Sequence, residues 1–74
     1  MAKRPELVAK AVGKRIRDLR QKKEWSQEHL ADECGMHRSY MWGVENGRRN
    51  PSLRNLTRIA DALEVGLSEL VDGL

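Results

Sequence analysis

Two short apolar stripes flank Gly35 between residues 26 and 47, and that spacing permits little except two short helices joined by a tight turn. Ser26 suits an N-cap, and Trp25 before it and Leu30 after it occupy the positions of a hydrophobic staple. His29 stands where a capping-box glutamate would stand, so the reciprocal bond is absent. Leu30, Ala31 and Cys34 form the stripe that turns inward. Gly35 supplies the left-handed residue that ends the first helix. The second helix spans about 37–46 and stops at Gly47. No segment alternates with period two, so no strand is expected.

The flanking segments read as helices as well. Pro5 suits a first turn, and Val8, Val12, Ile16 and Leu19 then recur at helical spacing to about Lys23, with Ala11 between them. Lys10, Lys14, Arg17 and Lys22 lie opposite. Ser52 caps a fourth helix carrying Leu53, Leu56, Ile59, Ala60 and Leu63. Gly66 breaks it, and Ser68 caps a short fifth helix with Leu70 and Val71. The expected fold is an all-α five-helix bundle over residues 7–74, preceded by a frayed arm at 1–6. At 74 residues such a core leaves only a few kcal/mol of net stability, which association would augment. Leu67, Leu70, Val71 and Leu74 make an apolar C-terminal surface with too little chain beyond to cover it. A symmetric homodimer through that surface is expected.

Residues 1–23 carry nine Lys/Arg against Glu6 and Asp18, residues 24–58 balance, and residues 59–74 hold four acids and no base. A basic end facing an anionic polymer, with the acidic end turned away, accounts for this polarity. The lone Cys34 excludes an internal disulfide and fits a reducing compartment. Neither a signal peptide nor an apolar run of membrane length is present, so a soluble, cytoplasmic chain is expected.

Advancing about 100° per residue along 37–46 divides that helix in two. Met41, Val44 and His37 share one side, with Tyr40 and Glu45 on its borders. Arg38, Ser39, Trp42, Gly43 and Asn46 share the other. A helix so divided suits the major groove of double-stranded DNA. Arg38 can pair bidentately with guanine, the alternative being a surface ion pair with Asp32 or Glu33. Ser39 can meet a base edge or phosphate, and Gly43 permits close approach. Trp42 can touch a thymine methyl or a sugar, or fold back over the start of helix four, the reading favoured from sequence. His37 is a cap, a spacer or a base contact. Tyr40 packs half-buried with its hydroxyl free to reach a phosphate. Gln27 lies in a first helical turn, where free N–H groups hold phosphate. Arg48, Arg49 and Asn50 follow the turn at Gly47 and would straddle the groove edge.

Other chemistry finds no support. Cys34 and His37 have a Cys-x-x-His spacing, but His29 and Cys34 point about 140° apart on one helix, so no metal site is expected. No carboxylate pair, phosphate loop or nucleophile triad converges. The chain is expected to be no enzyme and to need no cofactor or small-molecule ligand.

Arg17-Asp18-Leu19-Arg20, the string Trp25 to Ala31, Gly35, Tyr40 to Gly47, Pro51-Ser52-Leu53 and Ala60 with Leu63-Glu64-Val65 together resemble the Xre/Cro-CI family of helix-turn-helix regulators. Arg38 to Glu45 followed by Arg48 to Leu53 looks most like the controller proteins of restriction–modification systems. The resemblance implies a lambda repressor-like DNA-binding domain that binds a palindromic operator as a homodimer. It implies base contacts at Arg38, Ser39 and Arg49, and phosphate contacts from Gln27, Tyr40 and the Asn46–Asn50 loop. It also implies that Arg20 pairs with Glu45, and the helical wheel agrees, since Glu45 borders a buried face and needs a partner. Trp42 departs from the pattern where a small polar residue is usual, and His29 departs where glutamate is usual. The rival reading is an antitoxin or adaptor whose main task is holding a partner protein.

Overall fold

The computed structural model describes residues 4–74, and within them the chain forms five helices: α1 (Pro5–Lys22), α2 (Gln27–Cys34), α3 (Arg38–Glu45), α4 (Leu53–Ala62) and α5 (Leu67–Val71). Pro5 opens α1, so Pro5 and Glu6 belong to the helix and not to the expected arm; residues 1–3 lie outside those described. Ser26 and Ser52 cap α2 and α4 by accepting the backbone N–H of His29 and Asn55 at 3.0 and 3.1 Å. Each satisfies a donor that the first turn of a helix leaves open.

Helix α3 packs against both α2 and α1, α4 against α2 and α5, and α5 closes back on α1. Ile16, Leu30, Met41, Val44, Ile59 and Leu70 are fully buried where these helices meet. Each such side chain stabilises the fold by about 1.5–3 kcal/mol through burial alone. Leu70 is 0% exposed, which corrects its placement on an external dimer surface. Leu67 and Leu74 also pack partly on the core, leaving Val71 as the exposed apolar residue of α5.

Two helix ends differ from the expected ones. Helix α4 stops at Leu63 because Glu64 turns left-handed at φ 60°. Gly66 is then the N-cap of α5, and Ser68 makes no cap bond. Glu24 ends α1 in the same way at φ 59°. Lys23 and Glu64, beside these two corners, form an exposed ion pair at 2.9 Å.

Gly13 sits buried in the middle of α1, where α3 ends. A Cβ there would lie 2.6 Å from the carbonyl oxygen of Glu45. The absent side chain lets the two backbones touch and fixes how α3 lies across α1.

Burial pushes the Cys34 thiol up to about 11, and its Sγ lies 3.9 Å from the Arg58 carbonyl oxygen. The thiolate is the reactive form. Iodoacetamide at pH 8 is therefore expected to leave Cys34 unmodified in the folded chain and to alkylate it within minutes in urea. Mass spectrometry reads the difference, and equal rates in the two conditions would contradict the burial.

Candidate nucleic-acid interface

The buried side of α3 consists of Met41, Gly43, Val44 and Glu45. His37 is the N-cap residue but is exposed and makes no cap bond, so it does not share that inner face; Met36 packs on the core in its place. The outward side presents Arg38, Ser39 and Trp42.

Glu45 anchors the helix from its C-terminal end. Its two carboxylate oxygens accept from Arg20 Nε at 2.7 Å and Arg20 Nη2 at 2.9 Å. Arg20 Nη1 donates to the Trp25 carbonyl at 2.8 Å, and Gln27 Nε2 donates to Glu45 Oε1 at 3.0 Å. One bidentate pair thereby joins α1, the corner before α2, the first turn of α2 and the end of α3. The Gln27 amide N–H, a candidate phosphate donor from sequence, is thus engaged by Glu45 within the fold.

Arg38 lies at the start of α3 with its Nη1 3.7 Å from Glu28, both side chains well exposed. The partner is Glu28 and not Asp32 or Glu33. An exposed contact of this length is worth at most about 1 kcal/mol, so it orients Arg38 without holding it back from a stronger acceptor.

Trp42 is 51% exposed, with about half of its surface open to solvent. Gly43 departs from its expected open position. It is buried, and a Cβ on it would meet the Arg49 stem at 2.6 Å. The missing side chain makes room for Arg49, not for a ligand. Arg49 then runs over the Tyr40 ring with its guanidinium carbon 5.5 Å from the centroid, a cation–π contact. The Arg48 and Arg49 backbone N–H groups donate to the Gly43 carbonyl at 2.8 and 3.1 Å, which holds this loop on the helix.

The Tyr40 hydroxyl is engaged by Asn55 Nδ2 at 3.0 Å; it accepts there and keeps its own proton to donate outward. Asn46 Nδ2 donates to the Trp42 carbonyl at 2.8 Å and so caps its own helix. Arg48 and Asn50 stand exposed. Asn55 and Arg58 border the same hollow as Ser39, Tyr40 and Arg49. Sequence reading missed both, although their i, i+3 spacing opposite the apolar stripe of α4 was a usable signal. Lys10 lies against Gly47 and brings the basic face of α1 to the loop. Lys14, by contrast, is held by Asp18 at 2.9 Å.

Among the described residues no helix is long and apolar enough to cross a membrane. No group of three or more His, Cys, Asp or Glu among them is placed to hold a metal ion.

A helix-turn-helix domain family matches residues 11–72. The control protein C.BamHI of Bacillus amyloliquefaciens is 44% identical over 61 residues, covering 81% of this chain and 75% of that protein. The crystal structure of the restriction–modification controller protein C.AhdI from Aeromonas hydrophila superposes with a TM-score of 0.82 at 47% identity, covering 84% of this chain and 94% of that one. The biofilm master regulator SinR of Bacillus subtilis, solved in complex with DNA, superposes at 0.77 with 34% identity over 82% of this chain and 98% of that one. The chain belongs to the helix-turn-helix domain family, as a DNA-binding transcription regulator of the Xre/Cro-CI kind.

Proposed function

We propose that this chain binds a palindromic operator in double-stranded DNA as a homodimer, with α3 in the major groove. The observation that carries the reading is the division of α3: Met41, Val44 and Glu45 are locked inward while Arg38, Ser39 and Trp42 stand outward with no internal task. Arg38 and Ser39 read bases from the first turn, Arg49 reads from the loop, and His37 stands beside them at the groove edge. Tyr40 through its hydroxyl, the first turn of α2 at Gln27, Asn46, Arg48 and Asn50 hold phosphates on either side. C.BamHI and C.AhdI, both named as controllers, support the same role here. The dimer forms around Val71, with the outer edges of Leu67 and Leu74, and sets two copies of α3 about 34 Å apart, one turn of DNA.

Binding of duplexes selected from a random pool tests this reading. Arg38→Ala is expected to lose about 10- to 100-fold of discrimination between the selected site and a scrambled one, since a bidentate arginine–guanine pair contributes about 1–3 kcal/mol. Arg48→Ala should weaken both duplexes alike and flatten the salt dependence by about 0.9 in log–log slope. Sedimentation of the unbound protein should show twice 8.5 kDa. Full discrimination by Arg38→Ala, or a monomer on each operator, would refute the respective half of the proposal.

A further inference from the structure

Trp42 is the one aromatic side chain that the fold leaves about half open to solvent. The exposed large apolar residues other than Trp42 are aliphatic: Leu7, Leu53 and Val71. Among the described residues the indole N–H donates to no acceptor and no ring or cation lies against it, while Trp25 and Tyr40 each have such a neighbour. The backbone that carries Trp42 is nonetheless fixed, because Asn46 Nδ2 closes on its carbonyl at 2.8 Å and Met41 and Val44 on either side of its turn are fully buried. A bulky group thus stands on a fixed stretch of backbone, outside the core cluster.

Side chains on a helix lean back over the preceding turn. The indole therefore leans toward Arg38 and Ser39, both of which stay exposed. Room on its other flank is closed, since the space at Gly43 is filled by the Arg49 stem. Four residues separate Trp42 from Arg38, about 6 Å along the helix axis. With Arg38 on guanine, the indole meets the floor of the groove within the next base step or two. The one apolar group that a base pair offers there is a methyl on C5 of a pyrimidine.

We propose that Trp42 is a specificity-determining residue that reads the C5-methyl group of a pyrimidine close to the guanine met by Arg38. This rests on the operator-binding reading above. The methyl can belong to thymine or to 5-methylcytosine, which offer the same apolar surface on different hydrogen-bonding edges.

The test uses the full chain and a duplex selected from an unmodified random pool, with binding measured by fluorescence anisotropy. Each thymine of the half-site is replaced in turn by deoxyuridine, which removes the methyl and nothing else. One such replacement is expected to weaken binding about fourfold, the worth of one buried methyl, and to leave Trp42→Ala unaffected. In a second arm the same position holds cytosine or 5-methylcytosine opposite guanine. A loss in the uridine arm alone assigns the methyl to thymine, and a matching gain on cytosine methylation shows that either base serves. Flat responses in both arms, or equal responses in the parent and Trp42→Ala, overturn the proposal. Selection of no sequence at all would overturn the operator reading together with it, whereas a selected site with a flat methyl scan removes only the role of Trp42. Circular dichroism of Trp42→Ala confirms an intact fold, as expected for a side chain outside the core.

Discussion

Glu45→Ala is expected to leave much of the population unfolded. The substitution strands the Arg20 guanidinium, buried together with its partner, and removes an acceptor from Gln27. Breaking one member of a buried pair costs about 3–5 kcal/mol, whereas a domain of 74 residues holds only about 4–11 kcal/mol in all. Urea unfolding followed by circular dichroism measures the loss. The pair itself is a matter of geometry more than of net stability, so Arg20→Met with Glu45→Leu together should recover most of what Glu45→Ala loses. That double variant should still bind selected DNA poorly, because the link that sets α3 relative to α1 and α2 is gone. A Glu45→Ala protein within about 1 kcal/mol of its parent would show that the pair carries little.

Gly13→Ala is the second large effect, and it runs against helix propensity. In an ordinary exposed helix the change would stabilise by about 1 kcal/mol. Here the new methyl meets the Glu45 carbonyl at 2.6 Å, and the obstruction is backbone, which cannot rotate away. Overpacking of this kind costs about 1–3 kcal/mol and more where the neighbour is rigid, so a net loss of about 2–3 kcal/mol is expected. The helices would also separate, and α3 would tilt from its seat. Thermal melting gives the first effect and loss of discrimination on selected duplexes the second. A gain in melting temperature would mean that α1 and α3 do not touch at this glycine.

Particular residues show where sequence reading succeeds and where it stops. Ser26 and Ser52 could be located because an N-cap is a local event, decided by one hydroxyl and the turn that follows. Met41 and Val44 could be assigned inward because eight residues give a helix two turns of periodicity. Helix α5 has five, fewer than two turns, and periodicity cannot choose its inner face; Leu70 was therefore placed outside when it lies in the core. Gly43 was read as open because the wheel knows only its own helix, while the atom that fills its space belongs to Arg49 from the next loop. Glu64 was missed because a left-handed glutamate carries no local mark; its conformation follows from the need to turn α5 back onto α1. Gly13 did carry a mark, a glycine within a helical stripe, which usually signals a close approach of backbone.

The Arg49 stem lying in the slot at Gly43 has a consequence for how this reading surface can be exchanged. On the proposed reading, the determinants of recognition do not end with α3. They form a twelve-residue cassette from Arg38 to Arg49, in which the last residue is seated against the sixth and over the third. Transplanting 38–45 alone onto a related scaffold moves a helix with one wall of its reader missing. Diversification of this surface has to change loop and helix in step, and any bulkier residue at 43 evicts Arg49 before it meets a base.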